Sequence, residues 1–253
     1  VEDGLILHWD VYNPSCATTI TQILDLSGNS YNGVLSGTKV TPNVSYKNRS
    51  VQFSLPIDSS GIYIKTLNYT TGSSDSISNL TVEFWCRSTS GSTGSTNDER
   101  ILVSFDRSAV YRFAIGDDTL AAAAGKPVFS FTGGGGSGTT SYARALNWSG
   151  DLRDNSYHQV VVTYTSSAVK FYIDGSLVDT VTGSFGNIGD HTESETPRYG
   201  WVGNGSEATT EGGTPAPTNM FYGNISVVRI YNRTLTDNEI LLNFNANSFI
   251  ITL

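Results

Sequence analysis

The final third of the chain changes its hydrophobic period once, and that change limits the folds open to it. Residues 157–180 run YHQVVVTYTSSAVKFYIDGSLVDT, and residues 221–246 run FYGNISVVRIYNRTLTDNEILLNFNA. Val160, Val161, Val162, Thr163 and Tyr164 form a β-branched and aromatic run too short for a helix core. Such a run reads as a strand buried on both faces. After Ser166-Ser167, Val169, Phe171 and Ile173 alternate with Lys170, Tyr172 and Asp174, the period of a half-exposed strand. Asp174-Gly175 is a dipeptide favoured in two-residue hairpins, whose turn positions need positive φ. Leu177 and Val178 begin the return strand.

The period then becomes helical. Thr236 and Glu239 have the spacing of a capping box, and Asp237 suits the positive end of a helix dipole. Ile240, Leu241 and Phe244 are expected to supply one apolar stripe, with Asn245, Ala246 and Asn247 ending the helix. This is the only α-helix of any length that the sequence predicts. It is expected to pack on the edge of a sandwich and to do no chemistry.

The remaining segments are short strands separated by turns. Residues 4–9, 50–54, 61–67, 80–87, 101–106, 110–116, 127–132, 142–146, 199–202 and 221–231 read as strands. Residues 88–99 and 204–218, rich in Ser, Thr, Gly and Pro, read as mobile loops, and Gly133–Gly136 as a flexible run. No linker, repeat or composition break divides the 253 residues, so one all-β domain over residues 1–253 is expected.

Composition narrows the partners. The formal charge is −8, and no two Lys or Arg residues are adjacent, so nucleic acid and anionic membrane surfaces are disfavoured. No apolar run approaches a membrane span. The start at Val1 fits Met removal, precursor cleavage or a fragment boundary. Cys16 and Cys86 are too few for a disulfide framework, match no metal motif, and are expected to be free thiols.

The order of these pieces resembles a known family. The opening GLILHWD at residues 4–10 and DLSGNSYNG at residues 25–33 are similar to the start of a laminin-G-like, concanavalin A-like lectin module common in tailed-phage virion proteins. The alternating strand at 80–85 and the closing segments at 157–163, 170–175 and 223–236 follow in the family's order. Where family members often carry Trp-His-His or Trp-Tyr-His, this chain has Tyr157-His158-Gln159, a change expected to affect packing only. The resemblance implies a fourteen-strand-type antiparallel jelly roll of two curved sheets. It also implies a virion surface role as a capsid fibre, decoration or tail component. The implied partners are other virion proteins or copies of itself, with glycan binding at the host surface. The alternatives are a secreted carbohydrate-binding module or glycan-active enzyme, and an extracellular adhesion domain of a cell.

Chemistry is sparse in the sequence. A jelly-roll glycosidase needs two closely placed carboxylates on one strand face. Glu193 and Glu195 are the only candidate pair at that spacing, and they read as solvated loop charge. His8, His158 and His191 lie far apart and define no triad. No catalytic residue and no cofactor are therefore expected. The resemblance leaves calcium open, with Asp106, Asp117, Asp118 and Asp190 as carboxylates at strand ends and no EF-hand spacing. For a sugar, Trp148, Tyr199 and Trp201 are candidate platforms, with Asp190 and Asn204 as polar contacts. Core packing is an equal reading for Trp201. Asn43, Asn48, Asn68, Asn79, Asn147, Asn204, Asn224 and Asn232 head glycosylation sequons, which a chain this rich in Asn, Ser and Thr acquires by chance. The tail FIITL at residues 249–253 is an uncharged β-prone segment, expected either to pair within its own sandwich or, the favoured alternative, to dock on a neighbouring subunit.

Overall fold

The hairpin at Asp174-Gly175 forms as the dipeptide requires. Asp174 has φ 50° and Gly175 has φ 76°, joining β13 (Ala168–Ile173) to β14 (Ser176–Thr182). This computed structural model describes residues 1–13, 21–43, 49–72, 75–90, 99–106, 108–133, 140–190, 195–215 and 219–250, apart from the side chains at 118, 119 and 250. Cys16, His191, Glu193, Asn48, the side chain of Asp118 and the tail beyond 250 lie outside the described residues.

Two antiparallel sheets face each other. The first runs β14, β13, β12 (Asp154–Thr165), β7 (Asn79–Thr89), β16 (Gly223–Tyr231), β5 (Ser50–Phe53) and β4 (Val40–Asn43). β1 (Leu5–Asp10) pairs with β16 from Val227 to Tyr231, beyond the stretch that β5 covers. The second runs β11 (Thr140–Arg144), β10 (Pro127–Thr132), β9 (Tyr111–Gly116), β8 (Glu99–Ser104), β15 (Pro197–Val202), β6 (Gly61–Thr70), β3 (Gly33–Ser36) and β2 (Gln22–Ile23). This is the two-sheet jelly-roll sandwich expected, with sixteen strands among the described residues. The short β2 and β4 carry too little pattern to be read from sequence.

The core lies between the sheets. Phe84, Phe113, Phe129, Phe131, Tyr164 and Phe171 form part of one buried cluster with Trp9 and Ile230. Phe131 meets Tyr164 edge-on at 5.0 Å, and Phe129 stacks on Phe131 at 5.3 Å. Burying each such Phe contributes about 2 kcal/mol. Cys86 is a buried free thiol whose pKa burial pushes up.

Helix α1 (Asp237–Asn247) begins with the expected box: Glu239 N–H donates to Thr236 Oγ1 at 3.3 Å, and Thr236 N–H donates to Glu239 Oε2 at 2.8 Å. Its inner face differs from the predicted apolar stripe. Leu241 is 43% exposed and Leu242 61%, whereas Asn243 and Asn247 are buried beside Ile240. Phe244 does stack on Trp85, at 5.7 Å. The helix covers the outer face of the first sheet, where Glu83 of β7 is fully buried. Glu83 accepts from Gln159 at 2.9 Å, Arg229 at 2.9 Å and Asn243 at 2.7 Å. Polar groups at the sheet therefore select polar groups on the helix, because a buried charge must be paired and hydrogen-bonded. The same cover buries Tyr172, which the alternating pattern of β13 leaves on the outer face.

The described parts of two predicted loops contain buried and strand residues that their composition does not suggest. Ser88 is buried inside β7, and Glu99 opens β8 in an ion pair with Arg112 at 3.1 Å. Asn204, Ser206 and Ala208 are buried, and Tyr199 N–H donates to Ala208 O at 2.9 Å. Short polar side chains make this segment look like solvent-exposed loop, yet they satisfy its backbone as it crosses the second sheet.

Candidate functional site

The outer face of the second sheet carries one continuous cross-strand row. Tyr142 pairs with Ser130, Ser130 with Arg112, Arg112 with Ser104, Ser104 with Trp201, and Trp201 with Tyr63. The alternate positions, including Phe129, Phe113, Val103, Val202 and Ile62, point into the core, so the pleat turns the row outward. Aromatic rings thus flank a polar centre across six strands.

The segment after β15 is fastened to this row. Ser206 N–H donates to Ser104 Oγ at 3.1 Å, and Ser206 Oγ–H donates to Tyr199 O at 2.7 Å. Asn204 is fully buried, and its amide Nδ2 donates to Asp58 O and Ser60 O, each at 2.9 Å. Its Oδ1 accepts from Gly205 N–H at 2.9 Å. Asn204 therefore holds the segment before β6 against the segment after β15.

A groove of about 440 Å³ opens where these segments meet, lined by Thr38, Asp58, Ser59, Ser60, Trp201 and Thr214. Gly37, at φ 90°, lets the β3–β4 turn approach Ser60; a Cβ there would sit 2.1 Å from Ser60 Oγ. Ser60 Oγ accepts from Lys39 N–H at 3.0 Å, and Asp58 Oδ1 accepts from Ser60 N–H at 2.7 Å. Trp201 is 1% exposed and packs its ring against Tyr63 at 5.7 Å. Its indole Nε1 is buried without a hydrogen-bond partner among the described residues, as is Ser130 Oγ in the same row. Buried polar atoms are normally paired, so both donors retain hydrogen-bonding capacity. Among the described residues, no Lys or Arg side chain lines the groove. Hydroxyls, a carboxylate and an indole edge suit a neutral, hydroxyl-rich ligand.

The structure distributes the sequence candidates unevenly. Trp201, Asn204 and Tyr199 share this region. Trp148 is half-buried in the turn after β11, where its carbonyl accepts from Lys126 Nζ. Asp190 is half-buried in another turn, with its N–H reaching Asn187 O at 3.4 Å. Asp106 pairs with Arg198 at 3.2 Å and Asp117 with Arg100 at 2.9 Å. Among the described residues, no three His, Cys, Asp or Glu converge as metal ligands. Glu195 is exposed. Sequence reasoning missed Thr38, Asp58, Ser59 and Ser60, since only the pairing of β3, β6 and β15 brings them to Trp201.

The family follows from this architecture. Residues 58–241 match the concanavalin A-like lectin/glucanases superfamily of laminin-G-like domains, and the chain belongs to it. No curated protein sequence matches the chain. Among solved structures, the chain is similar to the binding domain of Paraclostridial Mosquitocidal Protein 1, with TM-score 0.63 and 17% identity over 97% of this chain and 52% of that one. It is also similar to the botulinum neurotoxin serotype D ligand-binding domain in complex with N-acetylneuraminic acid, with TM-score 0.61 and 16% identity over 98% and 52%. A third is a botulinum neurotoxin type C structure whose cell entry depends on two ganglioside molecules, with TM-score 0.56 and 16% identity over 97% and 52%. The chain spans about half the length of these structures, and the likeness is one of fold.

Proposed function

We propose that this chain is a non-catalytic, lectin-like module that binds neutral saccharide in the Trp201 groove. The observation that carries the reading is the groove itself, where Trp201 lines the wall together with Thr38, Asp58, Ser59 and Ser60. Membership of a lectin and glucanase superfamily supports carbohydrate as the ligand class. The sugars named for the toxin domains belong to those proteins. The two glutamates within the strands support binding over hydrolysis: Glu83 is sealed under α1, and Glu99 is a buried ion-pair partner.

The wider role in this reading is a virion surface structural protein, such as a capsid fibre, decoration or tail component, used for assembly and host attachment. Its support is the ordered resemblance of the opening and closing segments to tailed-phage virion modules. Mass spectrometry of purified particles tests the setting: repeated copies support it, and recovery only from secreted or cell-surface fractions opposes it. A glycan array tests the ligand. Binding to neutral glycans that Asp58→Ala and Thr38→Ala abolish supports the groove. Unchanged binding in both variants, or hydrolysis of the arrayed glycans, opposes it.

A further inference from the structure

Three carboxamides from distant parts of the chain meet at one end of the sandwich. Asn68 in β6, Asn79 at the start of β7 and Asn232 after β16 line a groove of about 340 Å³ together with Tyr69, Asp75 and Ile77. Because β6 belongs to one sheet and β7 and β16 to the other, the groove bridges the rim between them.

The groups lining it retain hydrogen-bonding capacity. Asn68 Nδ2 donates to Thr66 O at 3.2 Å, and Asn79 Nδ2 donates to Ser78 Oγ at 3.1 Å. Asn79 Oδ1 accepts a long bond from Thr234 Oγ1 at 3.4 Å. The Asn232 side chain is exposed and makes no hydrogen bond with the described residues. Exposed Asp75 commits Oδ2 to Thr70 N–H at 2.9 Å. Tyr69 supplies a fixed apolar wall, packed edge-on against Phe105 at 4.8 Å.

The charge balance selects the ligand class. Among the described residues no cation lines the groove, and neighbouring Arg233 is already held by Asp3 at 2.9 Å and Glu239 at 2.6 Å. Phosphate, sulfate and acidic sugars therefore find no counter-charge. Each carboxamide both donates and accepts, and Asp75 accepts, which complements hydroxyls that also do both. We propose that this rim groove is a second binding site, taking a neutral saccharide through adjacent hydroxyl groups with Tyr69 as its apolar wall. It lies at the far end of β6 from Ser60, roughly 25 Å away along the strand. It therefore stands or falls separately from the Trp201 groove.

The side-chain amide signals of Asn68, Asn79 and Asn232 provide the test. The nitrogen-15-labelled protein, made in a host without N-glycosylation because all three residues head sequons, is titrated with methyl glycosides of glucose, galactose, mannose and N-acetylglucosamine. At least one is expected to shift these three amides with saturation. Asn79→Ala and Asn232→Ala, both exposed positions, are each expected to weaken that binding about tenfold while leaving the rest of the spectrum in place. Sialyllactose is expected to shift these amides far less than the neutral glycoside that binds. No saturable shift at the three amides with any neutral glycoside overturns the proposal. So does equal binding by both variants, even if signals around Trp201 move.

Discussion

Glu83 and Arg229 face each other at 2.9 Å on neighbouring strands, buried beneath α1. Arg229 also donates to Asn247 Oδ1 at 2.7 Å, and Glu83 also accepts from Asn243, so the ion pair is the clasp between helix and sheet. Glu83→Ala removes the partner that a buried guanidinium pairs with at 2.9 Å and is expected to lower stability by about 4 kcal/mol in urea unfolding. The double variant Glu83→Ala/Arg229→Ala is expected to lose clearly less than the sum of the two singles. Additive losses would show that the pair is not coupled.

The same clasp predicts where the C-terminus can be cut. A chain ending at Ala246 loses the bond from Arg229 to Asn247 and is expected to be destabilised by about 2 kcal/mol. A chain ending at Ile250 keeps that bond and the edge-on contact of Phe249 with Tyr12 at 5.5 Å. It is expected to unfold like the parent but to self-associate or attach to particles less well. The two unfolding midpoints and sedimentation velocity separate these effects. Equal stability of both truncations would contradict the role given to Asn247.

His8 and His158 set opposite pH dependences. Burial, aided by the charge of Arg229 and opposed by Asp25, holds His8 down at about 4. Stability from neutral His8 is thus complete above its ordinary value of 6.5 and is lost as the pH falls toward 4. The loss is on the order of 3 kcal/mol. For His158, burial acts downward but is outweighed by the hydrogen bonds and charges of Asp174, at 2.8 Å, and Asp154, at 3.3 Å, so its pKa rises. Stability from charged His158 is complete below 6.5 and is lost as the pH climbs through the raised value. Urea unfolding across this range should show a flatter acid limb in His8→Gln and a flatter neutral-to-alkaline limb in His158→Gln. Unchanged limbs would contradict both assignments.

Much of the architecture is legible locally. Asp174-Gly175 fixes a hairpin, Thr236 and Glu239 fix a helix start, and Val160 to Tyr164 fix a central strand, because each signal is written within a few residues. The helix face is not legible, since Asn243 is chosen by Glu83, which lies 160 positions away. Nor is the site legible as a whole. Alternation in β6 and β9 turns Tyr63 and Arg112 outward, but only the pairing of β8 with β15 aligns Ser104 with Trp201. Trp201 and Asn204 carry a chemical signal in their residue type, whereas Ser59 and Ser60 look like ordinary turn residues until Gly37 and Asn204 bring them to the groove.

The Trp201 groove is tested most directly by the indole N–H signals of the four tryptophans during titration with a neutral glycan bound on the array. The buried Nε1 of Trp201 has no partner among the described residues, so a ligand that completes it must move that signal. A saturable shift of the Trp201 indole is expected, with Trp9 and Trp85 unmoved. Trp201→Phe, which keeps a ring and removes the donor, is expected to weaken binding about tenfold. A glycan that binds with the Trp201 signal stationary, or binds Trp201→Phe equally well, would contradict the claim that this groove is the recognition site.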